Sequence, residues 1–476
     1  MDESGLVRTD LGLFLELNAV DASLPSYRRL FLALRRSILS RRIEGGTRLP
    51  STRALSASLG ISRNTVKSAY ELLQAEGYLL SRRGAGCYVA ELPEAKSLAA
   101  DPVVINQPVK LPTASAINRA PGLLQPAVPA LDHFPYRRWQ RALQSGVTSV
   151  GLLAGDPQGD PRLRREIVRW LGAQRGMQVD PDQVLITSGS QQGIFLVADQ
   201  LVKAGDRVLL ERPGFQGTER VFDAAGARVG HFYQHELETV DRLGPARLLL
   251  LTPSRNFPLG HTLAADRRLA LLNWARQNRA WLIEDDYDSE FSAGPALSAM
   301  FSLDASQQVI YAGTFSRTMF PGLRLGYLVL PVSLVTQFRE ARRIVDGGLS
   351  VTPQMALAEF MACGDYSRHL KRMKRLYLQR RQMLEEMLGQ SSLAHLPVIG
   401  AGGGMHLCLQ VPTGCDDRQL VAELDRVGVC ARAISQYDPK QGAGLVLGFA
   451  AQDRDAMARG VAILERIVSA ALAQLD

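Results

Sequence analysis

The chain has 476 residues, 46% hydrophobic and 21% charged, which is too long for one ordinary domain and apolar enough for two cores. Five scattered cysteines (Cys87, Cys363, Cys408, Cys415, Cys430) never fall at redox or metal-pair spacing, which excludes a disulfide framework and fits a reducing compartment. The net charge of +8 is uneven: residues 27 to 90 hold 12 Arg or Lys against 3 Asp or Glu, so one short stretch carries the whole excess, as nucleic-acid binding requires.

The opening Met-Asp-Glu-Ser lacks a basic-then-apolar leader, and no apolar run approaches a membrane span, so a cytoplasmic protein with no membrane partner is expected. His231 and His235 stand four apart with strand-like flanks and no following glutamate, so no metal site is expected.

Leu30, Leu34 and Ile38 form one stripe of a first helix over residues 27 to 41, stopping before Gly45-Gly46. A second helix should start after Pro50 with Ser51 or Thr52 as its cap, and end at Gly60. Ser62 is then the expected cap of a third, in which Val66, Ala69, Tyr70 and Leu73 make the buried face and Arg63, Asn64 and Lys67 the exposed one. Polar groups at a helix start suit a recognition helix entering the major groove. The run from Gly77 to Val89, with Arg82-Arg83-Gly84 at its turn, reads as a hairpin wing.

These motifs, Arg48-Leu49-Pro50-Ser51-Thr52-Arg53, Ile61-Ser62-Arg63-Asn64-Thr65-Val66 and Glu76-Gly77-Tyr78, resemble the winged helix-turn-helix of GntR-family regulators. The resemblance implies an α+β head whose arginines Arg48, Arg53 and Arg63 and wing residues Arg82 to Gly84 contact DNA. The candidate DNA-binding set is Arg48, Ser51, Arg53, Ser62, Arg63, Asn64, Thr65, Lys67, Arg82, Arg83 and Gly84.

Eight of the 24 prolines lie between Pro93 and Pro135, which predicts a semi-rigid tether. The expected organisation is an N-terminal segment over 1–24, the head over 25–91, a Pro-rich linker over 92–130 and a large domain over 131–476.

In the large domain strands alternate with helices, predicting a mainly parallel α/β sheet. Expected strands are 184–187, 207–211, 247–252, 281–286, 309–315 and 325–330, and a helix is expected over about 353–388. The turn Ser188-Gly189-Ser190-Gln191-Gln192 opens a helix whose first amides suit a phosphate. The acidic run Glu284-Asp285-Asp286-Tyr287-Asp288 ends a strand at the edge where such folds bind ligands.

Thr252-Pro253-Ser254, the acidic run and Gly313-Thr314-Phe315-Ser316 in this order resemble the MocR subfamily, in which a GntR head is fused to a fold-type I aminotransferase-like domain that binds pyridoxal phosphate. Carried over by residue, Asp285 faces the pyridine nitrogen and Tyr287 the 3-hydroxyl. Ser190, Gln191, Thr314 and Arg324 hold the phosphate, and Phe215 takes the place of the ring-stacking aromatic. Arg317 stands where that family has its Schiff-base lysine, and a guanidinium cannot lose its proton to form one. Further departures are Arg255-Asn256 after Thr-Pro-Ser, Ala154 before Gly155-Asp156-Pro157, and a strand Leu445 to Ala450 without arginine.

The expectation is therefore a regulator that binds a double-stranded operator as a homodimer, meets the transcription machinery, and senses a small anionic effector, or pyridoxal phosphate held noncovalently, without a catalytic residue or a metal. The alternatives are an aminotransferase with an accessory head and a ligand-free dimerisation scaffold.

Overall fold

The computed structural model describes residues 23–82, 86–92, 120–146, 153, 155–400, 402–438, 440 and 442–474, and besides these the backbone of a short antiparallel pair, β1 (Val7–Arg8) and β2 (Phe14–Leu15). The chain divides into two compact units, residues 1–116 and 117–476.

The first unit is built from α1 (Ser26–Leu39), α2 (Thr52–Leu59), α3 (Arg63–Ala75) and the hairpin β3 (Leu79–Arg82) and β4 (Gly86–Val89). Its core joins Leu30, Phe31, Leu34 and Ile38 to Leu55, Val66, Ala69, Tyr70 and Leu73, closed by Leu79 and Val89 from the hairpin. The helix ends follow local chemistry. Ser51 Oγ accepts from Ala54 N at 3.1 Å and Ser62 Oγ from Thr65 N at 3.1 Å, each satisfying an amide left without an intrahelical partner. The first helix stops at Leu39, ahead of the expected Arg41, which adopts a φ of 57°.

The second unit continues with α4 (Tyr136–Gly146), α5 (Pro161–Arg175), β5 (Val184–Thr187), α6 (Ser190–Leu201), β6 (Arg207–Arg212), α7 (Gln216–Ala224), β7 (Arg228–Tyr233), β8 (Leu248–Leu251), α8 (Ala265–Asn278), β9 (Trp281–Asp286), β10 (Val309–Thr314), β11 (Gly326–Val329), α9 (Val335–Asp346), α10 (Val351–Ala362) and α11 (Asp365–Gly389). The seven strands lie in the order β5-β11-β10-β9-β8-β6-β7. Four neighbouring pairs are parallel, while β11 runs antiparallel to both β10 and β5.

Side-chain alternation sends Leu185, Ile310 and Leu328 to a cluster with α6 and α9, whereas Ile186, Tyr311 and Val329 join one with α5, α10 and α11. Both faces are covered, so β5 and β8 are buried throughout and read as apolar runs. The strand β7, which holds the strand-like sequence around His231, adds the edge next to β6.

A four-stranded antiparallel sheet follows from β12 (Val398–Ile399), β13 (His406–Gln410), β14 (Arg432–Ala433) and β15 (Gly444–Gly448), ordered β12-β13-β15-β14 and packed with α12 (Asp417–Arg426) and α13 (Arg454–Leu472).

Two expectations need correcting. The single helix over 353–388 is two, because Gly364 takes a φ of 72° between α10 and α11. The linker expected to reach residue 130 ends earlier. Leu124 is fully buried, Leu123 bridges Val429, and Ala130 N donates to the Tyr377 hydroxyl at 3.1 Å, so residues 120–130 are part of the second unit.

Candidate functional site

On the first unit, α3 presents Arg63, Asn64 and Lys67 to solvent, and Arg48, Ser51, Arg53, Ser62 and Arg82 are also exposed, while Thr65 is half-buried. Arg63 Nε donates to Thr52 Oγ1 at 3.4 Å and Lys67 pairs with Glu71 at 3.7 Å, contacts loose enough to yield to a ligand. The Tyr70 hydroxyl donates to Pro50 O at 2.9 Å, tying α3 to the turn before α2. Arg82 lies 4.8 Å over the Tyr88 ring, and Arg48 reaches along the same hairpin beside Gly86. Arg83 and Gly84 lie outside the described residues.

The second unit holds a cavity of about 440 Å³ at the C-terminal ends of the parallel strands, lined by both its sheets. At one wall α6 begins after Gly189, whose φ of 80° turns the chain so that the first amides of the helix face inward. Ser190 is the first helical residue, and Thr314 ends β10 beside it, its Oγ1 accepting from Ser316 N at 3.2 Å. Arg324 adopts a left-handed φ of 50° and donates Nη2 to Ser188 O at 3.1 Å. Helix amides, a hydroxyl and an arginine converge on this wall, and together they can offer hydrogen bonds and positive charge to an anion. Gln191 lines the same wall but spends its amide on Gly217 O, at 2.9 Å. Phe215 stands at the rim, 55% exposed, with its ring folded over Gly217.

The adjacent carboxylates of β9 part company by strand alternation. Asp286 turns away, held by Arg175 at 3.0 Å, the Tyr311 hydroxyl at 2.5 Å and Ser289 Oγ at 2.8 Å. Asp285 lines the cavity, and its Oδ1 is shut off from solvent with no hydrogen-bond partner. Burial pushes the Asp285 carboxyl up to about 7, with Asp286 and Glu211 adding to the shift and Arg317 opposing it. The Tyr287 hydroxyl is also buried, beside Asp288 and Arg255. Its ring meets Phe257 edge-on at 5.8 Å, and Phe257 meets Tyr437 at 5.0 Å, giving the cavity an aromatic side.

Arg317 lines the cavity and donates Nη1 to Ala127 O. Burial pulls its guanidinium below the ordinary value while Asp288, Tyr287 and Asp285 oppose this, and an arginine shifted in this way keeps its proton. Asp288 is shared electrostatically with Arg255, whose Nε lies 3.4 Å from Oδ2, and burial pushes that carboxyl up to about 6. Arg255 itself is threaded between Gly260 and Gly404, where a Cβ would stand 3.2 Å and 2.4 Å from it. Asn256 donates to Pro213 O at 3.1 Å, bracing the turn before α7. Ala154 lies outside the described residues.

Sequence reasoning missed several wall residues. Glu211 accepts from Thr252 N at 2.8 Å, Thr252 Oγ1 at 2.5 Å and Gln234 at 2.6 Å. Arg212 pairs with Glu219 at 2.9 Å, and His231, set aside as a metal ligand, sits between them at 3.0 and 3.1 Å. Arg432, on β14, faces the cavity from the smaller sheet. The only sequence signal for this group was the density of charge near residue 212. Among the described residues lining the cavity there is no lysine.

A seven-stranded mixed sheet with a wall suited to an anion, an inward aspartate and a second small sheet defines an aminotransferase-like domain, here on a chain that also carries a winged helix-turn-helix. Two family models match accordingly: bacterial regulatory proteins of the gntR family over residues 26–89, and aminotransferase class I and II over residues 128–443. The chain is 34% identical to the probable rhizopine catabolism regulatory protein MocR of Rhizobium meliloti over 93% of both chains. It is 34% identical to the HTH-type pyridoxine biosynthesis transcriptional regulator PdxR of Corynebacterium glutamicum, over 89% of this chain and 92% of that one. Among solved structures it resembles LysN, an alpha-aminoadipate aminotransferase of Thermus thermophilus complexed with N-(5'-phosphopyridoxyl)-L-leucine, with a TM-score of 0.67 and 27% identity over 74% of this chain and 94% of that one. The chain belongs to the MocR-type family of HTH transcriptional regulators, a gntR-family head joined to an aminotransferase class I and II domain. Among the described residues no helix is long and apolar enough to cross a membrane.

Proposed function

We propose that this regulator binds its operator as a homodimer through Arg48, Arg53, Arg63, Asn64, Lys67 and Arg82, and that its cavity senses a small anionic effector, with pyridoxal phosphate as the first candidate, held without a covalent bond. The observation that carries the reading is Arg317: the position that would supply an amine holds a guanidinium committed to the Ala127 carbonyl.

The other residues fit the cofactor. The α6 amides, Ser190, Thr314 and Arg324 would hold its phosphate, the unpartnered Asp285 Oδ1 would accept from its ring nitrogen, and the Tyr287 hydroxyl would reach its ring oxygen. When bound, the group supplies an electron-poor pyridine ring. The residues around it would bind and orient it. PdxR, a regulator named for pyridoxine biosynthesis, is a relative over most of both chains, which supports a pyridoxyl ligand. The aminotransferase alternative needs a lysine that the described cavity wall lacks.

A visible spectrum of the purified protein with added pyridoxal phosphate, before and after borohydride, tests this. In the wild type the cofactor should remain extractable, and Arg317→Lys should acquire a borohydride-fixed adduct. A reducible adduct in the wild type would overturn the proposal.

A further inference from the structure

We infer that residues 122–130 form a strap latched beside the cavity by Arg317, and that an anionic effector opens it by drawing that guanidinium away from the Ala127 carbonyl. This gives the effector reading above a mode of response and rests on it.

The strap has two fixed ends. At one, Leu123 N donates to Gly428 O at 3.0 Å and Leu123 O accepts from Cys430 N at 2.8 Å, while Leu124 O accepts from Gly448 N at 2.8 Å and the Leu124 side chain is fully buried. These partners lie just before β14 and at the end of β15, so this end rides on the smaller sheet. At the other, Ala130 N donates to the Tyr377 hydroxyl of α11 at 3.1 Å, and Arg372 of the same helix donates to His133 O.

The middle is held by much less. Pro126 and Ala127 line the cavity, and among the described residues the stretch 126–128 takes part in one hydrogen bond, from Arg317 Nη1 to Ala127 O. Leu124 has a φ of 54° and Ala127 a φ of 68°, left-handed conformations that residues with a Cβ keep when their surroundings impose them. Leu124 has its buried side chain and the Gly448 contact to impose it. For Ala127, with a methyl group alone, the arginine supplies the hold.

Arg317 is a latch that a ligand can take. Asp288, Tyr287 and Asp285 act on its charge through space, but its hydrogen bond goes to a neutral carbonyl. Of the two acids, Asp288 is engaged by Arg255 and Asp285 is pushed up to about 7 by burial, so near neutral pH neither takes up the guanidinium fully. A charge-assisted bond to an anion is roughly twice as strong as one to a neutral acceptor, so a phosphate or carboxylate in the cavity outcompetes Ala127 O. The carbonyl then loses its partner, the left-handed turn loses its support, and the middle of the strap relaxes. Occupancy is thereby converted into slack between the smaller sheet and α11. The chain coming from the head enters this unit just ahead of Leu123, so the slack alters how that chain is held.

Hydrogen exchange of the full chain, read by mass spectrometry on a peptide covering 122–130 with and without pyridoxamine 5'-phosphate, tests the latch. In the wild type the ligand should speed exchange there by about threefold or more, the opposite of what a contact that covers the segment would do. Arg317→Met, which cannot donate, should show the faster exchange without ligand and no further gain with it. Ala127→Gly relieves the left-handed turn and so favours the latched form, and it should weaken binding of pyridoxamine 5'-phosphate by about fivefold in calorimetry. Slower or unchanged exchange in the ligand-bound wild type overturns the proposal, as does an Ala127→Gly variant that binds as tightly as wild type. If the wild type does not bind pyridoxamine 5'-phosphate, the pyridoxyl reading fails and the unliganded proteins decide the latch alone: faster exchange at 122–130 in Arg317→Met keeps it, and equal exchange overturns it. Should Arg317→Met loosen the whole unit, Ala127→Gly takes its place, where exchange slower than wild type keeps the latch and equal or faster exchange overturns it.

Discussion

Arginine does two different jobs in the two units of this chain. On the head, Arg48, Arg53, Arg63 and Arg82 are exposed and loosely held, and water screens their charges. In the large domain Arg255 and Arg317 are enclosed, each tied to named carbonyls or carboxylates, and they oppose the upward shift that burial imposes on Asp285 and Asp288. The first arrangement suits a long polyanion, whose many weak contacts add. The second suits one small molecule, for which a single misplaced charge is costly.

Salt separates the two most strongly. Operator affinity should fall by about three orders of magnitude between about 50 and 200 mM salt if the head makes the six or more phosphate contacts its exposed cations allow. Affinity of the cavity for pyridoxamine 5'-phosphate should change by less than about tenfold over the same range, because enclosed charges are poorly screened. Fluorescence anisotropy for the first and calorimetry for the second would check this, and parallel slopes would break the distinction.

Next in size is the pH response of Asp285. A carboxyl whose folded value is raised to about 7, from about 3.9 when unfolded, destabilises the ligand-free fold progressively as pH rises between those values. Asp285→Asn removes that penalty. Relative to wild type it should be near neutral at pH 4 and stabilised at pH 8 by up to about 4 kcal/mol, less where water reaches the carboxyl. Urea unfolding at both pH values measures it, and a pH-independent difference would place the carboxylate outside the buried network.

The smallest expected effect is on the head: Arg63→Ala should lower specific operator affinity by about 1 to 3 kcal/mol with little change in affinity for random DNA. An equal loss on both would make Arg63 a phosphate contact and sharpen the division within the head itself.

Legibility from sequence follows the same division. The caps Ser51 and Ser62 and the apolar stripe of α3 are local signals, set within four residues, and could be read directly. The strand, glycine turn and helix start at residues 184–201 were readable because they are contiguous, whereas Thr314 and Arg324 on the same wall came from the family resemblance. What could not be read joins distant segments: Arg212 meets Tyr437 across 225 residues, and Arg432 reaches the cavity only because the smaller sheet closes one wall. The choice between Asp285 and Asp286 needed the strand's orientation, which alternation alone leaves two-valued.

Arg255 carries a consequence for how this cavity could change over generations. Its guanidinium occupies space that exists only because positions 260 and 404 lack side chains. Adding a methyl at Gly404 would strike it, and shortening Arg255 would leave a void and strand Asp288 as a buried, unpaired acid. The three positions therefore move together or not at all. A route by single substitutions toward a smaller side chain at 255 passes through intermediates that are either overfilled or hollow, and a designer wishing to make that change would have to alter at least two of the three in one step.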